Sequence, residues 1–144
     1  MGKLFGTDGI RGIVNEGLDA ELAYKVGLAA ASVLSRGKNG RVLVAIGKDT
    51  RISGDLLKGA LVAGLCTAGA DVLDLGTLPT PGVAWVTVDA GADAGIVISA
   101  SHNPFEHNGI KIFNGLGYKL SDELEGEIET IVLSGAADVP RQTR

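Results

Sequence analysis

The chain predicts an α/β fold: a three-layer α/β/α sandwich around a mixed four-stranded sheet. Three observations carry this. Short apolar runs at residues 41–47, 71–76, 95–99 and 109–113 have strand length, and the last two are rich in β-branched residues. Helical apolar patterns precede and separate the first three runs, the alternation that makes parallel βαβ units. The last two runs are joined by about ten residues, too few for a parallel crossover, so that pair runs antiparallel. Right-handed crossovers join the parallel strands, and the strand order is expected to be 2-1-3-4, with the last strand an antiparallel edge.

Composition agrees with such a domain. A chain of 144 residues can bury one real core. Glycine is abundant at 22 residues and aromatics are scarce at 4%, so small side chains must let helices lie close to the sheet. The net charge of -4 gives no general electrostatic reason to bind nucleic acid or an acidic membrane. No run approaches the ~18 apolar residues of a membrane span. Asp8, Arg11, Glu16, Asp19 and Glu21 interrupt any apolar core of a signal peptide. The single cysteine, Cys66, falls in an apolar helical pattern and reads as a small buried hydrophobe. One cysteine allows no internal disulfide, which favours a cytoplasmic setting.

Taken in order, residues 1–17 contain the turn-rich segment 5–12, with three closely spaced glycines and one cation, Arg11. Asp19 then reads as an N-cap, with Glu21 where the helix dipole favours acids. Leu22, Val26, Ala29, Ala30, Val33 and Leu34 follow at helical spacing, and Gly37 closes the helix. The run 41–47 is apolar on both faces, as a central strand covered by helices requires. Ser53 is placed to cap the next helix, whose buried stripe is Leu57, Leu61, Leu65 and Ala68 before Gly69. The run 71–76 is a less buried strand, and residues 78–81 are a proline-stiffened turn. Residues 82–89 make a short helix with Val83, Trp85 and Val86 partly buried. Residues 114–117 are a turn. Ser121 caps a last helix with early acids and an apolar face of Leu124, Ile128, Ile131 and Val132. The domain is expected to span residues 1–135, with 136–144 a linker toward a second domain.

Two polar loops stand out. Gly47-Lys-Asp-Thr-Arg-Ile-Ser-Gly54 leaves the first strand and opens a helix, a common place for an anion. Two readings are open there. Lys48 and Arg51 could serve an anion, or Asp49 could neutralise Arg51 in a salt-bridged turn. The second loop, 99–108, holds Ser99, Ser101, His102, Asn103, His107 and Asn108. The strand order places both loops at one crevice beside a topological switch point, where open α/β sheets bind ligands. Ser101 beside His102 does not make a hydrolase. Neighbours in an extended segment point opposite ways, and no G-x-S-x-G elbow is present. A serine that carries a phosphoryl group fits better, with Arg11 and Lys111 as cations for the transferring charge.

Four segments resemble, in order, those of the α-D-phosphohexomutase family. They are Phe5-Gly-Thr-Asp-Gly-Ile-Arg-Gly12, the loop 47–54, Leu78-Pro-Thr-Pro81, and Ile98-Ser-Ala-Ser-His-Asn-Pro104 with Asn108-Gly-Ile-Lys111. Their wording is most similar to the bacterial phosphoglucosamine mutase branch. The resemblance covers the first of the family's four domains. It implies that Ser101 is phosphorylated and passes its phosphoryl group to a hexosamine phosphate through a hexose bisphosphate, interconverting glucosamine 6-phosphate and glucosamine 1-phosphate. It implies Lys111 as general acid or base, Arg11 as a phosphate contact, and His102 as an orienting or proton-shuttling group. Thr7 and Asn103 fall in the phosphate vicinity. It implies one Mg2+, bound by Ser101 through its phosphate and by aspartates of the absent second domain. Sugar specificity belongs to the absent third and fourth domains, so the chain alone is expected to be inactive.

Two positions depart from the family pattern. Lys48 stands where arginine is usual and lacks its planar fork. His107 stands where aspartate is usual. The rival readings are a phosphomannomutase or phosphoglucomutase domain, and a non-catalytic α/β module that binds phosphate or protein.

Overall fold

The computed structural model describes residues 4–143; residues 1–3 and 144, the extreme ends of the expected domain and linker, lie outside it. Five strands and four helices follow one another as β1 (Ile10–Ile13), α1 (Ala20–Leu34), β2 (Leu43–Lys48), α2 (Gly54–Thr67), β3 (Asp71–Thr77), α3 (Thr80–Asp89), β4 (Ala94–Ile98), β5 (His107–Asn114) and α4 (Asp122–Ser134). The sheet order is β1-β5-β4-β2-β3. β2 pairs parallel with β3 and β4, and β5 pairs antiparallel with β4 and β1.

The four expected strands thus stand in the expected order, and one correction applies. The segment read as turn-rich contains most of β1, so the sheet has five strands and β5 is internal. Four residues with a glycine in the middle carry little strand pattern of their own. β1 exists because Ile10 sits opposite Ile110 and drops into the core. Gly9 permits this approach: its φ is +87°, and a Cβ there would collide with the Ile110 carbonyl oxygen.

Strand alternation divides the core. Val44, Ile46, Ile96, Ile98, Ile110 and Ile112 face α1, α2 and α4, with Leu57, Leu61, Leu65 and Ile128 among the helical partners. Val97 and Phe113 face the other way, against Val83 of α3. Helices therefore cover both faces, three on one and one on the other. α1 and α2 cross at glycines. A Cβ on Gly27 would lie 2.5 Å from the Leu61 carbonyl oxygen, and one on Gly64 would collide with that of Tyr24.

Helix ends follow their caps. The side chains of Asp19 and Ser121 accept from the amides of Leu22 and Leu124. Ser53 holds the cap position of α2 without capping it, because its hydroxyl is engaged elsewhere. α3 starts inside the expected proline turn, with Pro79 at its cap. Trp85 is 66% exposed rather than partly buried. The face of α3 that meets the sheet carries Val83 and Thr87 at i, i+4, and Trp85 falls midway between them on the far side. Cys66 is half-buried, not fully buried, at the C-terminal end of α2. A 3-10 turn at Ala136–Asp138 follows α4, and the Gln142 amide donates to the Thr67 carbonyl. No helix among the described residues is long and apolar enough to cross a membrane.

Candidate functional site

The alternation that buries Ile110 and Ile112 turns Gly109, Lys111 and Phe113 to the α3 face. The Lys111 ammonium consequently lies 5.7 Å from the centroid of the Phe113 ring. Arg11 sits opposite Gly109 in the β1–β5 pair, on the same face. A Cβ on Gly109 would come 3.0 Å from Arg11 Cγ and 2.7 Å from the Ser99 carbonyl oxygen. The glycine is the gap that lets the arginine stem cross the strand.

At the end of β4, Arg11 and Lys111 line a cavity of about 230 Å³ with Ser101, Ser99, Thr80, Asp8 and Val97. Two cations and an exposed serine hydroxyl therefore share one concavity. Asp8 is 4.0 Å from the Arg11 guanidinium, at the edge of ion-pair range and exposed to water. Among the described residues, the Lys111 ammonium makes no hydrogen bond or ion pair, which leaves its charge available to an incoming anion.

Ser101 has φ +56°, in the left-handed region that disfavours any residue with a Cβ. Its amide donates to Ser99 Oγ at 3.1 Å. Its carbonyl accepts from Arg51 Nη2 at 2.8 Å. Arg51 Nη1 also donates to the carbonyls of Pro104 (2.7 Å) and His107 (3.1 Å). Arg51 Nε donates to Asp49 Oδ2 at 3.2 Å, so the salt-bridged reading of this loop is the one observed. Lys48 is likewise committed, 3.4 Å from Asp55 and 3.4 Å from Thr77 Oγ1. The two polar loops meet as the sheet order requires. The Asp49 amide donates to the Ile98 carbonyl at 3.0 Å, and Asn108 Nδ2 donates to Ser53 Oγ at 2.8 Å.

The structure thus brings Ser101, Arg11 and Lys111 into one cavity. His102 and Asn103 belong to the same loop but do not line it; His102 is exposed, and the Asn103 amide closes a turn on Ala100. Thr7 lines a neighbouring hollow with Gly6, Lys119 and Asp122. His107 is half-buried at the start of β5, where its carbonyl serves Arg51. Asp8 and Thr80 were not singled out as site residues from the sequence, and Ser99 was named only among the loop's polar groups, although each lies inside one of the four motifs. Arg51 was read either as an anion-binding cation or as the partner of Asp49; nothing in its local pattern says that it also reaches loop carbonyls some fifty residues away. Among the described residues no three His, Cys, Asp or Glu side chains come together to hold a metal ion.

Comparison with known proteins bears on the domain as a whole. The family model described as phosphoglucomutase/phosphomannomutase, alpha/beta/alpha domain I, matches residues 2–138. The phosphoglucosamine mutase of Moorella thermoacetica is 60% identical over 141 residues, covering 98% of this chain and 32% of that protein. That of Desulforamulus reducens is 57% identical over 143 residues, covering 99% and 32%. The chain therefore spans about a third of the length of the curated relatives it matches. A Burkholderia thailandensis protein of the phosphoglucomutase/phosphomannomutase family superposes with a TM-score of 0.78 at 30% identity, over 97% of this chain and 31% of that one. The Paramecium phosphoglucomutase parafusin, 20% identical, shares the fold with a TM-score of 0.78 over 92% of this chain and 26% of that one. The chain belongs to the phosphoglucomutase/phosphomannomutase family and carries its α/β/α domain I.

Proposed function

We propose that this chain is the phosphoserine-bearing domain of a phosphohexomutase that interconverts glucosamine 6-phosphate and glucosamine 1-phosphate. The observation that carries the reading is the cavity shared by Ser101, Arg11 and Lys111. The identity of 57–60% to phosphoglucosamine mutases, against 30% to the Burkholderia protein, favours the hexosamine as substrate.

In this mechanism phospho-Ser101 presents its phosphoryl group to a hydroxyl of the hexosamine phosphate. The bond from phosphorus to Ser101 Oγ breaks and one to the sugar oxygen forms, giving a bisphosphate. Lys111 is the candidate to take the hydroxyl proton with its unprotonated amine, becoming the ammonium, and later to return it. The bisphosphate reverses its ends, and its other phosphoryl group returns to Ser101. Arg11 and Lys111 oppose the negative charge spread over the transferring oxygens, the main electrostatic task in such a step.

A hard cation such as Mg2+ takes several oxygen ligands, commonly one or two carboxylates with phosphate and water. The described lining of the cavity offers a single carboxylate, Asp8. These residues do not make a metal site by themselves, so the remaining ligands must come from further domains of the kind its longer relatives have room for. Those domains are also the natural partners of this face.

The test is the intact mass of the chain before and after incubation with a hexose 1,6-bisphosphate and Mg2+, with peptide mapping. One added phosphoryl group on Ser101, absent from Ser101→Ala, is the expected result. Phosphate on another residue overturns the assignment. In a protein of the relatives' full length, Ser101→Ala should abolish conversion of glucosamine 6-phosphate; retained turnover would favour a different nucleophile.

A further inference from the structure

We propose that Arg51 is a positioning residue for phosphoryl transfer, acting as a clasp that holds Ser101 in its left-handed conformation at the cavity. The proposal rests on the reading of Ser101 as the phosphoryl carrier and adds a residue to that machinery.

The left-handed φ of +56° must be imposed on Ser101 by its surroundings. The loop's two ends are tied to the sheet region, the Ser99 amide to the Gly109 carbonyl and the Glu106 carbonyl to the Val14 amide. Between them the described backbone ties are short-range: Ser101 to Ser99, Asn103 to Ala100, and His107 to Pro104. These shape the turn but do not anchor Ser101 from outside the loop. Arg51 does. Its fork takes the carbonyls at positions 101, 104 and 107, including that of Ser101 itself. The arginine is in turn fixed by Asp49, which accepts from the Arg51 amide with Oδ1 and from Nε with Oδ2. The Asp49 amide is bonded to the last residue of β4. A continuous hydrogen-bonded path thus runs from the sheet through Asp49 and Arg51 to Ser101.

Arg51 is not a phosphate ligand. Its side chain is only 11% exposed, and four of the five guanidinium N–H groups are occupied by protein oxygens. Lysine cannot replace it, because one ammonium on a flexible stem lacks the rigid fork that reaches all three carbonyls. The clasp leaves Arg11 and Lys111 as the cations that meet substrate.

The experiment compares wild type, Arg51→Lys, Arg51→Ala and Lys58→Ala, the last breaking a surface ion pair with Asp74 away from the cavity. Two quantities are read: the rate of phosphoryl uptake on Ser101 from glucose 1,6-bisphosphate, as a function of its concentration, and amide hydrogen exchange over residues 99–108. Misplacing a reacting group by about an ångström costs on the order of 10²-fold. Both Arg51 variants should lose about that factor in maximal rate, with little change in the half-saturating concentration. Exchange should quicken at Asn103 and His107 and nowhere else. Added guanidinium ion should restore part of the rate to Arg51→Ala. Lys58→Ala should match wild type in both readouts. If Arg51→Ala does not fold, Arg51→Lys carries the test. Arg51→Lys with wild-type uptake and wild-type exchange overturns the clasp. If wild type itself takes up no phosphoryl group, the carrier reading fails in this chain and the exchange arm decides alone: selective quickening in Arg51→Lys upholds the clasp, and unchanged exchange overturns it.

Discussion

Ser101 shows what a single residue can store. Its left-handed backbone costs on the order of 1–2 kcal/mol relative to an ordinary conformation. Glycine at the same place carries no such cost but adds freedom to the unfolded chain, worth about 0.4–1 kcal/mol. Both Ser101→Gly and Ser101→Ala remove the hydroxyl, so both should take up no phosphoryl group. Ser101→Gly should nevertheless be the more stable of the two by about 0.5–1 kcal/mol, the difference of those terms. Urea unfolding measures this, and an alanine variant equal to or above the glycine variant would show that the strain is absent. Asn108 is the complementary case. It is fully buried, donates to Ser53, and accepts from the Gly109 amide at 2.9 Å. Asn108→Ala should cost about 1–3 kcal/mol for the buried donor left unpaired. At this scale the motifs picked out Ser101, Arg11 and Lys111, which the fold brings to one cavity. Of Arg51's observed partners the sequence offered only Asp49, because the others are backbone carbonyls, and a carbonyl leaves no mark in a sequence.

Elements were legible in proportion to how much of their reason is local. α1 and α4 carry their own caps and stripes and α2 its stripe, and the antiparallel pairing of the last two strands followed from the length of their connection. β1 had no such signal, since its reason lies in Ile110 and the gap at Gly9. The closeness of α1 and α2 was hinted at only by glycine content. A methyl on Gly64 would have to fit beside the Tyr24 carbonyl, the Leu28 amide at 2.9 Å and Gly27 Cα at 3.1 Å, all of them backbone. Gly64→Ala should therefore force the helices apart and cost about 1–3 kcal/mol by overpacking. Gly59→Ala, at a position where a Cβ meets open space on the same helix, should instead be neutral or stabilising. A second inter-element tie joins Lys119, between β5 and α4, to Glu125, which is 1% exposed on α4. The hydrogen bond to Glu125 holds the Lys119 ammonium above the ordinary lysine range, against the opposing effect of burial. A raised lysine value means stability that is complete below about pH 10.5 and is lost as pH climbs through the folded-state value. Lys119→Met should destabilise at neutral pH, and its deficit should shrink above that range, where the wild-type lysine also becomes neutral. A deficit independent of pH would assign the effect to packing instead.

Charge at the scale of the whole molecule and charge at the cavity make opposite predictions for phosphorylation. The chain carries a net charge of -4, and a phosphoserine adds about -1.5 to -2 at neutral pH. Taken over the whole surface, a more negative molecule repels itself more strongly and should unfold more easily. Yet charges farther apart than a Debye length of about 8–10 Å are largely screened at ordinary salt. The cations that matter line the same cavity as Ser101: Arg11, and Lys111 whose ammonium has no described ion-pair partner. The local attraction should win. Asp8, the carboxylate at the rim, would oppose it but is exposed and therefore weakly coupled. A chain made with phosphoserine at position 101 should accordingly melt a few degrees above the unmodified chain, as a gain of about 1 kcal/mol gives in a domain of this size. The gain should fall in high salt and largely vanish in Lys111→Met, whose packing against Phe113 is kept while its charge is lost. Scanning calorimetry at low and high salt decides the matter. A lower melting temperature on phosphorylation would mean that net charge governs. A gain insensitive to salt and to Lys111→Met would mean that the phosphate is held by backbone amides of its own loop rather than by the two cations.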